Sequence, residues 1–147
     1  MSEENPYEPP DTQLEKKTAP RNAGWWKAFF WLTVVLMVLS AAALPAMPDL
    51  GAFDYFDFLL SVVTSVGLFG FAFHKPVGGV VFWRYFFYVA LVESIFFSLV
   101  LPFTGVPVYG QVISIDAFYV IGLAFTIALL WAIYQYAYKC SFLWPRA

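Results

Sequence analysis

One carboxylic acid stands in the middle of an apolar run: Glu93, within Tyr88–Leu101, YVALVESIFFSLVL. A carboxyl surrounded by hydrocarbon can store a proton, relay one, hold a cation, or join two helices by a hydrogen bond. Three hydroxyls, Ser61, Thr64 and Ser65, lie in a second apolar run, and Thr126 lies in a third. With Glu93 they form the expected intramembrane polar cluster. Four aspartates make a second group: Asp49, Asp54, Asp57 and Asp116. Their oxygens suit a hard divalent cation. The bland alternative is that Asp54, Asp57 and Asp116 sit at or near helix starts, where negative charge complements the helix dipole. Asp57 and Asp116 are also the acids of similar depth that an enzyme acting on lipid would need as an acid/base pair.

Several chemistries are excluded by what is missing. His74 is the single histidine, so one chain cannot supply bis-histidine haem ligation or an HExxH zinc site. A histidine-based triad would have to use His74, and no GxSxG elbow is present. The lone Cys140 forms no internal disulfide and no CxxC site. No basic stripe points to nucleic acid. The expectation is a protein with no catalytic residues, no cofactor and no metal.

The surroundings of Glu93 follow from composition. The chain has 147 residues, of which 61% are hydrophobic, 22% aromatic and 12% charged, with a mean hydropathy of +0.70. Soluble domains are about a quarter charged, and a small fold cannot hide so much apolar surface. Lipid is the natural solvent. A helix crosses about 30 Å of hydrocarbon with roughly 20 apolar residues. Four runs are long enough, at about 25–44, 53–73, 80–101 and 113–138. Breaks marked by proline and glycine separate them. Such short connections make neighbouring helices antiparallel. The expected fold is all-α: a four-transmembrane-helix antiparallel bundle over 24–147, behind a disordered tail over 1–23.

Basic residues orient this bundle, because Lys and Arg stay on the cytoplasmic side. Lys16, Lys17, Arg21 and Lys27 precede or open the first run; Lys75 and Arg84 flank the second break; Lys139 and Arg146 follow the last run. The first and third breaks hold none. Both termini are therefore expected in the cytoplasm. Trp25, Trp26, Trp83 and Trp144 fall at that interface, with Tyr55 and Tyr109 at the other, as amphipathic rings prefer. SAAALPA at the end of the first run has the form of a signal-peptidase site. The long acidic tail and the spanning length favour a retained anchor.

That tail, MSEENPYEPPDTQLEKKTAPRN, holds five of the chain's ten acids and too little apolar area to order itself. It reads as a solvated tether or a polyproline-type docking segment. Its NPYEPP resembles the opening of many small bacterial inner-membrane proteins, and the resemblance implies a bacterial inner-membrane location. In its size, four helices and single membrane glutamate among aromatics, the chain also resembles the small multidrug exporters. Their glutamate belongs to the first helix, however, and here the first helix has no acid, so the activity is not carried over.

Depth can be read from helical rise. Glu93 lies thirteen residues beyond Val80, about 20 Å at 1.5 Å per residue. That is at or just past the midplane, level with Ser61, Thr64, Ser65 and Thr126. Asp57, Ser61 and Ser65 recur at i, i+4, i+8 and so share a face. An acid at the bilayer centre costs about 2.5–3.5 kcal/mol, whereas each Leu, Ile, Val or Phe returns about 0.3–0.6 kcal/mol. The third run holds fourteen of these and still inserts. Glu93 should then face inward, neutral and donating to Ser61, Ser65, Thr126 or a carbonyl. Three roles remain open: a hydrogen-bonded joint, a proton- or cation-linked site, or an interface with another membrane protein. Functionally, the leading expectation is a non-enzymatic accessory or partner-binding subunit, of which an immunity-type protein or a homo-oligomer is a variant. The alternatives are a small proton-coupled transporter or channel component using Glu93, and a lipid-modifying membrane enzyme.

Overall fold

A computed structural model describes residues 23–46, 50–104, 115–140 and 143–144. The tail, Asp49, Tyr109 and the expected start of the fourth run at 113–114 lie outside the described residues. Among the described residues there are helices and no strands. Helix α1 is Ala23–Ala43, ending in a 3-10 turn, Leu44–Ala46. Helix α2 is Ala52–Phe73, α3 is Val80–Ile95 and α4 is Ala117–Tyr134. A π-helical stretch, Phe96–Val100, and a last α turn, Leu101–Thr104, prolong α3. Another π-helical stretch, Gln135–Lys139, prolongs α4. The resulting spans run 22–25 residues, or about 33–38 Å, enough to cross a bilayer.

The third span departs from the sequence reading, which ended it at Leu101 before Pro102. The helix runs through Pro102 to Thr104. Proline has no N–H to give the carbonyl four residues back, which is that of Ser98. Within the π-helical stretch Leu101 N–H bonds Phe96 O, five residues back, and the hydroxyl of Tyr119 on α4 donates to Ser98 O. A neighbouring helix thus satisfies the carbonyl that proline frees, as hydrocarbon demands. Tyr119→Phe should therefore destabilise the bundle by about 1–2 kcal/mol. In a Pro102→Ala background, where an N–H is restored, the same change should cost much less. A double-mutant cycle in SDS titrations of the purified protein checks this.

Packing is concentrated at the end of the bundle where α1 begins, α2 turns into α3, and α4 ends. Trp83, Tyr136, Leu68 and Ile133 are the largest fully buried side chains. Gly67 and Gly70 let them in: a Cβ on Gly67 would collide with Ile133 and Trp83, and one on Gly70 with the Tyr136 ring. Ring contacts bind the helices together, Trp26 to Phe71 at 5.1 Å and Trp83 to Tyr136 at 5.4 Å between centroids. Trp83 thus lies at the expected end of its helix but is 1% exposed, so it packs against protein and not lipid headgroups. Trp25 is the tryptophan that faces outward there, 68% exposed.

The α2–α3 turn is held as firmly. Lys75 N–H bonds Gly70 O at 2.9 Å and His74 N–H bonds Phe71 O at 3.4 Å. This closes α2 with His74 in the left-handed region, φ 53°. Gly78, at φ 70°, makes the second reversal. Tyr136 Oη donates to Lys75 O at 2.7 Å and accepts from Val77 N–H at 2.8 Å. Trp83 Nε1 donates to Val77 O. Two side chains from α3 and α4 therefore satisfy the backbone of a turn that has few internal bonds.

Candidate functional site

The other half of the bundle is loosely filled. There the four helices line a partly open cavity of about 670 Å³, in the size range of small-ligand pockets, about 300–1,000 Å³. Glu93, Ser61, Thr64, Ser65 and Thr126 all line it. Asp57 also lines it, so the i, i+4, i+8 face of Asp57, Ser61 and Ser65 points inward as expected.

Asp57, expected in the acidic rim, also lines the cavity with the polar cluster. It lines the cavity together with Glu93, and Ser94 Oγ makes a long contact to Glu93 Oε2, at 3.4 Å. Of the expected partners of Glu93, Ser65 is bonded elsewhere. Ser65 Oγ donates to Ser61 O at 2.9 Å and also approaches Met37 Sδ at 3.6 Å.

The two other described aspartates, Asp54 and Asp116, cap helices. Asp54, which is buried, accepts from Gly51 N–H at 2.8 Å. Asp116 Oδ1 accepts from Tyr119 N–H at 3.0 Å and starts α4. Asp116 does not line the cavity, so the cavity does not pair it with Asp57. Among the described residues no three His, Cys, Asp or Glu side chains gather as a metal site.

The first helix supplies polar groups that the sequence reading overlooked. Thr33 and Ser40 line the cavity with Met37 between them, and Ser94 and Ser98 line it from the third span. Thr33, Met37, Ser40 and Leu44 follow a 4-3-4 spacing, the signature of one helix face; that pattern was present in the sequence. Thr33 Oγ1 returns its hydrogen bond to Phe29 O at 2.9 Å, which lets it sit buried at little cost.

Charge is divided between the two ends. All four described basic side chains, Lys27, Lys75, Arg84 and Lys139, belong to the sealed half. Lys27 Nζ lies 5.5 Å from the Phe73 ring, and the Arg84 guanidinium 5.5 Å from that of Tyr138. No basic residue lines the cavity. Cys140 is buried just beyond the last span, and burial pushes its thiol up to about 11.

Long apolar helices with outward-facing side chains such as Leu39, Val92, Phe118 and Ile121 make this a multi-pass membrane protein built as a four-helix bundle. The chain matches no family model, and no curated protein or solved structure shows significant similarity to it.

Proposed function

We propose that this is a non-enzymatic protein of the bacterial inner membrane that binds a small ligand between its helices, coupled to a proton on the Glu93–Asp57 pair. The observation that carries the reading is that two acids, Asp57 from α2 and Glu93 from α3, line one cavity that has room for a ligand. A joint between helices needs one donor and one acceptor and no empty space beside them. Both termini are cytoplasmic in this reading, because the basic side chains gather at the sealed end. The cavity then lies in the periplasmic half, and the tail is a cytoplasmic tether.

Infrared spectroscopy of the reconstituted protein tests the proton. A protonated-carboxyl C=O band should fade as pH rises and should be missing from Glu93→Gln. A band that stays constant from about pH 5 to about pH 10 would mean a fixed structural joint and would overturn the reading.

A second reading, an accessory subunit, is favoured by the outer helices. The α1 and α4 spans are each only 11% buried, against 39% for α2, which leaves broad apolar faces for a partner helix or a second copy. Mild-detergent purification with identification of co-purifying proteins tests it. A stoichiometric membrane partner supports it, and a lone monomer argues against it.

A further inference from the structure

The outer face of α3 and α4 at the sealed end carries a cation that neither the core nor the cavity uses. Arg84 is exposed and lies four residues beyond Val80, about 6 Å into the span, where lipid headgroups give way to acyl chains. Four cations share this end, whereas the described acids, Asp54, Asp57, Glu93 and Asp116, lie mid-span or toward the other end. The Arg84 guanidinium is set 5.5 Å from the centre of the Tyr138 ring. Such a contact fixes the planar group without consuming its fork of N–H donors.

From Tyr138 a strip of rings runs deeper along α4. Tyr138 stacks on Tyr134 at 5.2 Å, and Tyr134 lies against Trp131 at 6.0 Å, following the 3-4 spacing of one helix face. Phe87 of α3 reaches Tyr134 and Tyr138 at 5.7 Å and 6.1 Å. Trp131 is 55% exposed, so the strip opens to lipid over seven residues, about 10 Å. We propose that this face binds one anionic phospholipid, with its phosphate on the Arg84 fork and an acyl chain laid along the rings. Arginine pairs with phosphate bidentately, and basic pockets between spans on the cytoplasmic side, where the proposed orientation puts this end, take such headgroups. A zwitterionic lipid brings a second cation beside its phosphate, which Arg84 and the nearby Lys139 repel. A free phosphate would meet the same charge and leave the strip of rings unused.

Two lipids with the same chains and different headgroups decide it. The purified full-length protein in detergent is titrated with dioleoyl-phosphatidylglycerol or dioleoyl-phosphatidylcholine, and native mass spectrometry counts the bound lipids and gives their affinities. The first phosphatidylglycerol should bind about tenfold more tightly than the first phosphatidylcholine. Glycerophosphoglycerol, the same headgroup without chains, should not displace it even in large excess. Arg84→Gln should remove the preference, and Arg84→Lys, which keeps the charge and loses the fork, should retain only part of it. Trp131→Ala should weaken phosphatidylglycerol binding with every charge in place. Lys27→Gln takes the same charge from the same end but beside Phe73, and it should leave the preference within about twofold.

Equal binding of the two lipids would overturn the proposal. So would displacement by the chain-free headgroup, which would mean a phosphate site and not a lipid site. An equal loss in Lys27→Gln and Arg84→Gln would also overturn it, since diffuse surface charge would then account for the preference. Circular dichroism and size exclusion check that each variant still assembles. If Arg84→Gln does not, Arg84→Lys carries the test, and an undiminished preference in that variant overturns the role of the fork.

Discussion

Gly67→Ala should lower the stability of the bundle by about 1–3 kcal/mol, and Gly67→Leu should prevent its assembly. The added Cβ lands inside contact distance of Ile133 Cδ1 and 2.5 Å from Trp83 Cζ3. Neither neighbour can retreat. Ile133 is 0% exposed, and the Trp83 indole is held by its hydrogen bond to Val77 O and its edge contact with Tyr136. In a membrane this matters more than in water, because helix association relies on close packing and interhelical hydrogen bonds. Gly24, beside which a Cβ would meet nothing within 4 Å, is the control: Gly24→Ala should be silent. SDS titration of purified variants, followed by circular dichroism and size exclusion, reads both. A Gly67→Ala protein as stable as the parent would mean that the helices do not pack as described.

Tyr136→Phe should open the sealed end. The hydroxyl bridges Lys75 O and Val77 N–H, and its loss leaves a backbone donor and acceptor without that partner, at about 1–3 kcal/mol. The ring remains, so the bundle should still assemble. Cys140 reports the change. It is 3% exposed, and burial holds its thiol at about 11. At pH 8 its thiolate fraction is then about a hundredfold below that of an ordinary exposed cysteine. Maleimide labelling of the parent should accordingly be slow and should rise about tenfold per pH unit towards pH 10. In Tyr136→Phe it should be faster at every pH and should level off earlier, as the thiol meets water and its ionisation moves back down. Labelling rates identical in the two proteins would show that the hydroxyl does not hold this end shut.

Both predictions concern residues whose role depends on tertiary packing. Gly67 and Gly70 allow the close packing. Which side chains fill the space they leave was not legible, because it depends on how four helices rotate about their axes. Tyr136 and Tyr119 carried no sequence signal at all. Each acts on a carbonyl of a different segment, 61 and 21 residues away along the chain, and no spacing rule reaches that far. Pro102 read as a helix end for a sound local reason, and it was overridden because a neighbouring tyrosine replaces the missing donor.

The candidate site divides in the same way. The sequence by itself determined that Glu93 lies deep in the third span, and that Ser61, Thr64, Ser65 and Thr126 lie at similar depth. Rise per residue and the cost of moving side chains from water to lipid are local quantities, and they add along each helix. It likewise determined the number of spans and the separation of basic from acidic ends. Only the tertiary structure decided that Asp57 lines one cavity with Glu93, that Thr33, Ser40, Ser94 and Ser98 complete the wall, and that one half of the bundle is sealed while the other keeps a cavity. Those outcomes hang on which faces of α1–α4 turn toward one another. Packing at Gly67 and Gly70 sets that rotation, and hydrophobicity, nearly uniform around these helices, does not.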